Sequence, residues 1–199
     1  MNPADHAWWI ASRASGIVAI LLLTTSVLLG LTLSTRVMRG PGLPRWLAVA
    51  HEQAALAGLV AIGLHGVTLL GDPFLRPGLD GIAVPFAIAY KPVWVALGIV
   101  GGYVAAALGL SFYMRRRIGV QRWRKAHRFT IVAYGLSVAH TLGAGTDAGW
   151  LGYVVLAPAG PILVLFAQRM IATRRAAPGA AARSPAARAT RPAAASPDS

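Results

Sequence analysis

Long apolar stretches alternate with short polar and basic ones along the whole chain. Several of the apolar stretches approach the roughly 20 residues that cross about 30 Å of hydrocarbon at about 1.5 Å per residue of helix. This pattern predicts an all-α integral membrane bundle of about five transmembrane helices. The predicted spans are residues 14–34, 46–70, 92–114, 122–142 and 149–171.

Proline and glycine mark the ends and breaks of these spans. Pro92 opens the third helix at a position where proline is favoured, and Pro158 and Pro161 are expected to kink the fifth. The segment 71–91 contains Asp-Pro and Arg-Pro-Gly sequences and is predicted to be a loop, of which residues 82–90 re-enter the membrane or lie at its interface. The first apolar stretch is long enough to span, so we expect it to remain in the mature protein.

Composition agrees with a membrane protein. The 199 residues are 56% hydrophobic and only 13% charged, with a mean hydropathy of +0.58, which is more apolar material than a soluble domain of this size buries. Cysteine is absent. Disulfides, thiolate metal sites, iron–sulfur clusters and covalent haem attachment are therefore excluded, and a metal must use other ligands.

The basic residues predict the orientation of the chain. Sixteen of the 19 lysines and arginines fall in the first loop, the third loop and the segment after the last helix. By the positive-inside rule, these regions are cytoplasmic, the N-terminus is outside and the C-terminus is inside. The chain is therefore expected to be a multi-pass protein of the cell inner membrane, in contact with lipid.

The strongly basic balance has a second interpretation, which we do not favour. A pI near 11.6 is typical of nucleic-acid binding, but here the charge is distributed loop by loop as topology requires, so no nucleic-acid partner is expected. Residues 172–199, rich in alanine, proline and arginine, have too little apolar material for a core. We predict that they form a disordered basic cytoplasmic tail.

The histidines are the candidate functional residues. His51 and His65 fall in the second predicted span, and His127 and His140 fall in the fourth, although ionisable groups inside a membrane are costly. The two separations of 14 and 13 residues correspond to about 21 Å and about 19.5 Å along the helices. Helices two and four run parallel, so His51 and His127 are expected at the cytoplasmic level and His65 and His140 at the outer level.

Two facing imidazoles at each level fit an iron porphyrin, which is flat and takes one ligand on each side. Zinc or copper fits less well, since each requires three or four protein ligands and only Glu52 is near enough in sequence to add one. At about 100° per residue, 13 steps place His140 about 140° away from His127 around the helix. Either the helix bends, for which Gly135 is a candidate, or two haems contact different sides of it.

The alternative is a purely structural role, in which these histidines form hydrogen bonds between neighbouring helices. A haem-free transporter or assembly subunit, with structural or proton-relay histidines, is the rival function and predicts a colourless protein. Small residues in the same helices have a similar double interpretation, as helix-packing positions or as points of close approach to a porphyrin. These residues are Gly58, Gly63, Gly66, Gly98, Gly101, Gly102 and Gly135.

Several segments resemble the ferric reductase-like transmembrane domain, a family that includes the membrane domains of ferric reductases and NADPH oxidases. The two spaced histidine pairs carry the specific part of this resemblance. Local segments are also similar to bacterial members, and the likeness covers residues 8–171. These segments are 8–16, 84–94, 122–127 and 140–147.

The resemblance implies two non-covalent b-type haems, one between His51 and His127 and one between His65 and His140. We expect Arg13 to pair with the propionates of the outer haem. For the inner haem, the expected partners of the propionates are Arg45, Arg124, Lys125 and Arg128.

The sequence departs from full-length ferric reductases and oxidases, which continue into FAD and NAD(P)H domains and often have six spans. The short tail contains no G-x-G-x-x-G, so no FAD or NAD(P)H domain is expected here. The chain is more similar to haem-only bacterial members, among them the haem subunit of the methionine sulfoxide reductase system. That likeness implies an electron-transfer subunit or a ferric reductase, with a quinol or separate flavoprotein as donor and a periplasmic redox partner or ferric iron as acceptor.

Overall fold

The computed structural model describes residues 3–35, 38, 40–145 and 148–181, and within these ranges it contains helices and no strands. A 3₁₀ turn, Ser111–Met114, joins α4 to α5. The α-helices are α1 Pro3–Thr35, α2 Leu43–Leu69, α3 Gly78–Ala83, α4 Pro92–Leu110, α5 Arg115–Ile118, α6 Val120–His127, α7 Thr130–Ala144, α8 Ala148–Leu156 and α9 Ala159–Ala181.

Four helical stretches of the described chain are long and apolar enough to cross a membrane. The chain is therefore a multi-pass membrane protein whose helices contact lipid, as its composition predicted. The four stretches are His6–Thr35, Leu43–Leu69, Pro92–Ile118 and Gly149–Ala172.

The structure of residues 122–142, predicted to be one continuous fourth span, differs from that prediction. The helix is interrupted at Arg128 and Phe129, directly after His127, whereas α7 is continuous through Gly135, the candidate position for a bend. The apolar part, α7, has 15 residues, or about 22 Å of helix, and is too short to cross alone. The preceding α6 carries four basic residues in eight and is amphipathic. The break lies where this polar segment meets the apolar one.

Two other boundaries also differ from the sequence prediction. The loop 71–91 contains the short helix α3, and α9 continues to Ala181, into the segment that we expected to be disordered. The arginines and alanines of residues 174–177 are good helix formers and favour the first part of this extension, whereas Pro178 and Gly179 do not favour the rest. The helix is interrupted at Ala157 and Pro158, between α8 and α9, whereas Pro161 lies in the first turn of α9. Residues 182–199 lie outside the described residues.

Two helical hairpins form the frame of the bundle. α1 packs along α2 and α4 packs along α7, while α8 and α9 pack against α1. Lys91, just before α4, donates from Nζ to the carbonyl of Gly143 at 2.9 Å and ties the start of α4 to the end of α7. α2 and α7, the helices that carry His51, His65 and His140, are not among the closely packed pairs. A buried apolar cluster joins α1 to α7, α8 and α9: Ile20, Leu31, Tyr134, Leu151, Val155 and Ile162.

A buried hydrogen bond connects α7 to α1 within this cluster. The Thr24 hydroxyl donates to the Ile20 carbonyl at 2.7 Å, so the Tyr134 hydroxyl, 3.1 Å from Thr24 Oγ1, is the donor to that oxygen. Tyr134→Phe removes this bond and is expected to lower the free energy of unfolding by about 1 kcal/mol. Thermal unfolding in detergent measures the change. Tyr153→Phe is the control, since Tyr153 is 83% exposed, and equal midpoints for the two variants would contradict the assignment.

Candidate functional site

The four histidines singled out from the sequence form two pairs. The ring centres of His51 and His127 lie 6.1 Å apart with an interplanar angle of 86°, and those of His65 and His140 lie 6.3 Å apart at 72°. These are the partners that the spacing predicted. We call them the inner pair and the outer pair, after the predicted topology.

The separation of the rings suits one metal between two imidazoles. With a metal–nitrogen bond of about 2.0 Å and about 1.1 Å from nitrogen to ring centre, two imidazoles on opposite sides of one metal have centres about 6.2 Å apart. Both observed separations agree with this value to within 0.1 Å. Each pair therefore has the spacing of a two-histidine axial site.

The Nδ1 atoms of three histidines are held by backbone carbonyls. His51 donates to the Ser26 carbonyl at 2.8 Å and His65 donates to the Ser12 carbonyl at 2.8 Å, both on α1. His140 donates to the carbonyl of Trp94 on α4 at 2.9 Å. A proton on Nδ1 leaves Nε2 as the basic nitrogen, and such a bond fixes the tautomer and orientation of a metal-binding histidine.

Glycines allow these rings to reach the carbonyls. A Cβ atom on Gly16 would lie 3.0 Å from Nδ1 of His65, and one on Gly98 would lie 2.5 Å from Nδ1 of His140. A Cβ atom on Gly30 would lie 3.0 Å from Cε1 of His51. Each glycine is four residues after the residue whose carbonyl accepts the bond. We call this combination the carbonyl–glycine motif, and it is present three times: 12/16, 26/30 and 94/98.

His127 is held differently. It is the last residue of α6, its ring stacks on Trp123 with centres 4.9 Å apart, and its buried Nδ1 has no hydrogen-bond partner. The Leu108 carbonyl of α4 approaches His127 without the geometry of a hydrogen bond at Nδ1. The inner pair therefore has one ring fixed by a carbonyl and one placed by aromatic stacking.

The predicted propionate partners differ in their surroundings. Arg13 is half-buried on α1, next to Ser12 at the level of the outer pair, with its guanidinium 4.2 Å from the ring centre of Trp9. Arg124 is exposed on α6, one turn before His127. The other predicted partners of the inner level, Arg45, Lys125 and Arg128, are also exposed.

One basic residue near the inner pair was missed by the sequence reasoning. Arg169 of α9 is partly buried and lies close enough to His127 and Arg128 to act on both electrostatically. The charge pattern of the sequence assigns it only to the topogenic charges after the last helix. The signal in the sequence was its position as the first charge after the apolar part of that helix.

Six of the seven glycines singled out from the sequence, all except Gly98, divide into two groups. A Cβ atom on Gly58, Gly101 or Gly102 would contact side chains of a neighbouring helix at 3.2–3.5 Å, so these three are packing positions. One added at Gly63, Gly66 or Gly135 would meet nothing within 4 Å. Helix packing therefore does not account for the second group.

The donor set at each pair is limited to histidine. In the part of the chain that the structure describes, no group of three or more histidine, cysteine or carboxylate side chains is placed to hold a metal ion. A bare zinc or copper ion requires three or four such ligands, whereas a porphyrin supplies four nitrogens itself and requires two. The chain matches no protein-family model and no solved structure.

Proposed function

We propose that this protein carries electrons across the bilayer through two b-type haems, each ligated by one histidine pair. The observation that carries the proposal is the separation of the rings, 6.1 Å in the inner pair and 6.3 Å in the outer pair. His51 and His127 hold the inner haem, and His65 and His140 hold the outer haem. A bound haem supplies a one-electron change at its iron.

The other residues of the site position and tune these ligands. The carbonyls of Ser12, Ser26 and Trp94 hold three imidazoles with Nε2 unprotonated, which makes each a better ligand. Arg13 at the outer level and Arg124 and Arg169 at the inner level provide guanidinium groups for propionates. The apolar helices around the pairs exclude water from the route.

The proposed topology places the two pairs at opposite depths of the membrane. The 14 residues from His51 to His65 correspond to about 21 Å along α2, most of the hydrocarbon thickness. In this arrangement five segments span the inner membrane, with α6 and α7 forming the fourth, and the N-terminus lies outside. Electrons enter from a quinol or a separate flavoprotein and leave to a periplasmic redox partner or ferric iron.

The haem-free alternative is favoured by one observation, the bonds from Nδ1 to backbone carbonyls. Such bonds are what a helix-bonding histidine makes, and they explain how α2 is tied to α1 and α7 to α4. They do not explain why each histidine also faces a second histidine at the spacing of an axial pair. We therefore place electron transfer first.

A visible spectrum tests the proposal. We expect protein purified in detergent from haem-replete cells to contain about two haems per chain by pyridine haemochrome. The dithionite-reduced minus air-oxidised difference spectrum should have the bands of six-coordinate, low-spin b-type haem. A colourless protein of normal yield and helical content would reject electron transfer and favour the haem-free alternative.

A further inference from the structure

The carbonyl–glycine motif has a fourth position, which is altered. On α1 the two motifs are 14 residues apart, at 12/16 and 26/30. The same step from the motif 94/98 on α4 leads to Leu108 and Phe112, where the glycine is replaced by phenylalanine. The Leu108 carbonyl is the one that approaches His127, so these residues occupy the equivalent place beside the fourth histidine.

Phe112 occupies the position that corresponds to the glycine of the other three motifs. In the three complete motifs, a Cβ atom on the glycine would come within 2.5–3.0 Å of the histidine ring. Phe112 carries that atom and an aromatic ring, which packs 5.7 Å from the ring centre of Trp123. The glycine that admits the imidazole in the other three motifs is therefore absent here, and Nδ1 of His127 is buried without a hydrogen-bond partner.

A second, independent feature concerns the helix that carries this ligand. The other three histidines lie inside the long helices α2 and α7, whereas His127 ends the eight-residue helix α6, between the glycine at position 119 and the break at Arg128 and Phe129. Gly119 has a φ of 93°, a conformation that favours glycine. A short segment with a break at each end moves at lower cost than the middle of a long helix.

We propose that His127 is a releasable ligand, and that its release opens one axial position at the inner pair to a small neutral ligand of the carbon monoxide class. This inference rests on the proposed haem function and deepens it by distinguishing the two sites. His51 remains bound as the fixed ligand, because the Ser26 carbonyl holds its Nδ1. At the outer pair both rings are held by carbonyls, so that site stays closed.

Carbon monoxide titration of the dithionite-reduced protein tests the inference. The spectrum of about half of the haem, one site of two, should change as carbon monoxide replaces His127. The other half should keep both histidine ligands and an unchanged spectrum. Phe112→Gly restores the missing motif and lets the Leu108 carbonyl accept from His127. We expect this variant to bind carbon monoxide roughly tenfold more weakly, the ratio that one ordinary hydrogen bond supplies.

Phe112→Leu is the matched control, since it keeps a bulky side chain at the same position and should retain the wild-type affinity. Haem content and helical content are measured for both variants, so that a folding defect is distinguished from ligand retention. A protein with two haems, neither of which binds carbon monoxide, would overturn the inference and leave the proposed function intact. Equal affinities in Phe112→Gly and Phe112→Leu would also overturn it, and a haem-free protein would overturn both proposals.

Discussion

Replacing His65 or His140 by alanine is expected to lower the haem content from about two to about one per chain, since each change removes one axial ligand of the same site. Both variants should lose the same spectral component, because the two rings face each other 6.3 Å apart. Changing His51 or His127 should remove the other component. Pyridine haemochrome and difference spectra measure these losses, and transfer across the bilayer should stop in all four variants.

His6→Ala is the matched control for this series. His6 is exposed and its ring contacts only the ring of Trp9, 5.9 Å away, among the described ring contacts. We expect two haems and the wild-type spectrum. If His65→Ala and His140→Ala both kept two haems with unchanged bands, the ligand assignment would be wrong.

Gly98→Ala has the second largest expected effect. The added methyl group would lie 2.5 Å from Nδ1 of His140, and this ring is not free to retreat because it is bonded to the Trp94 carbonyl. We expect the outer haem to be lost from most molecules, with a fall of about 1–3 kcal/mol in the free energy of unfolding, which is usual for overpacking. Haem content and thermal unfolding midpoints measure the two effects.

Gly102→Ala, one turn further along α4, is the control for that variant. Its methyl group would lie 3.5 Å from Cγ2 of Ile62, an ordinary contact, so haem content should be unchanged and stability should stay within about 0.5 kcal/mol. If Gly98→Ala retained both haems as Gly102→Ala does, the carbonyl–glycine motif would not be what positions His140. Gly16→Ala provides an intermediate case, since its closest approach to His65 is 3.0 Å.

The partners of the histidines were predictable from the sequence because of the near-equal steps along two parallel helices. The structure pairs His51 with His127 and His65 with His140, as expected. The way in which the shorter step of 13 residues is accommodated was not predictable. No proline or glycine marks the break at Arg128 and Phe129, whereas Gly135, which we had considered for a bend, lies inside α7. The count of five spans, the orientation and the role of the histidines as ligands stay predictions.

The sequence by itself determined that this protein is a helical membrane protein. Apolar stretches of about 20 residues are stable only in a bilayer, and they must be helical there. The sequence also predicted which side chains are the candidates for chemistry, the histidines at 51, 65, 127 and 140. Only the tertiary structure decided how each imidazole is held, because the acceptors are backbone carbonyls on another helix and all residues have the same carbonyl. The role of Gly16, Gly30 and Gly98 is recognisable only from the histidine ring that lies against each of them. For the same reason, Phe112 is an unremarkable apolar residue in the sequence, and only the tertiary structure brings its ring against Trp123, which stacks on His127.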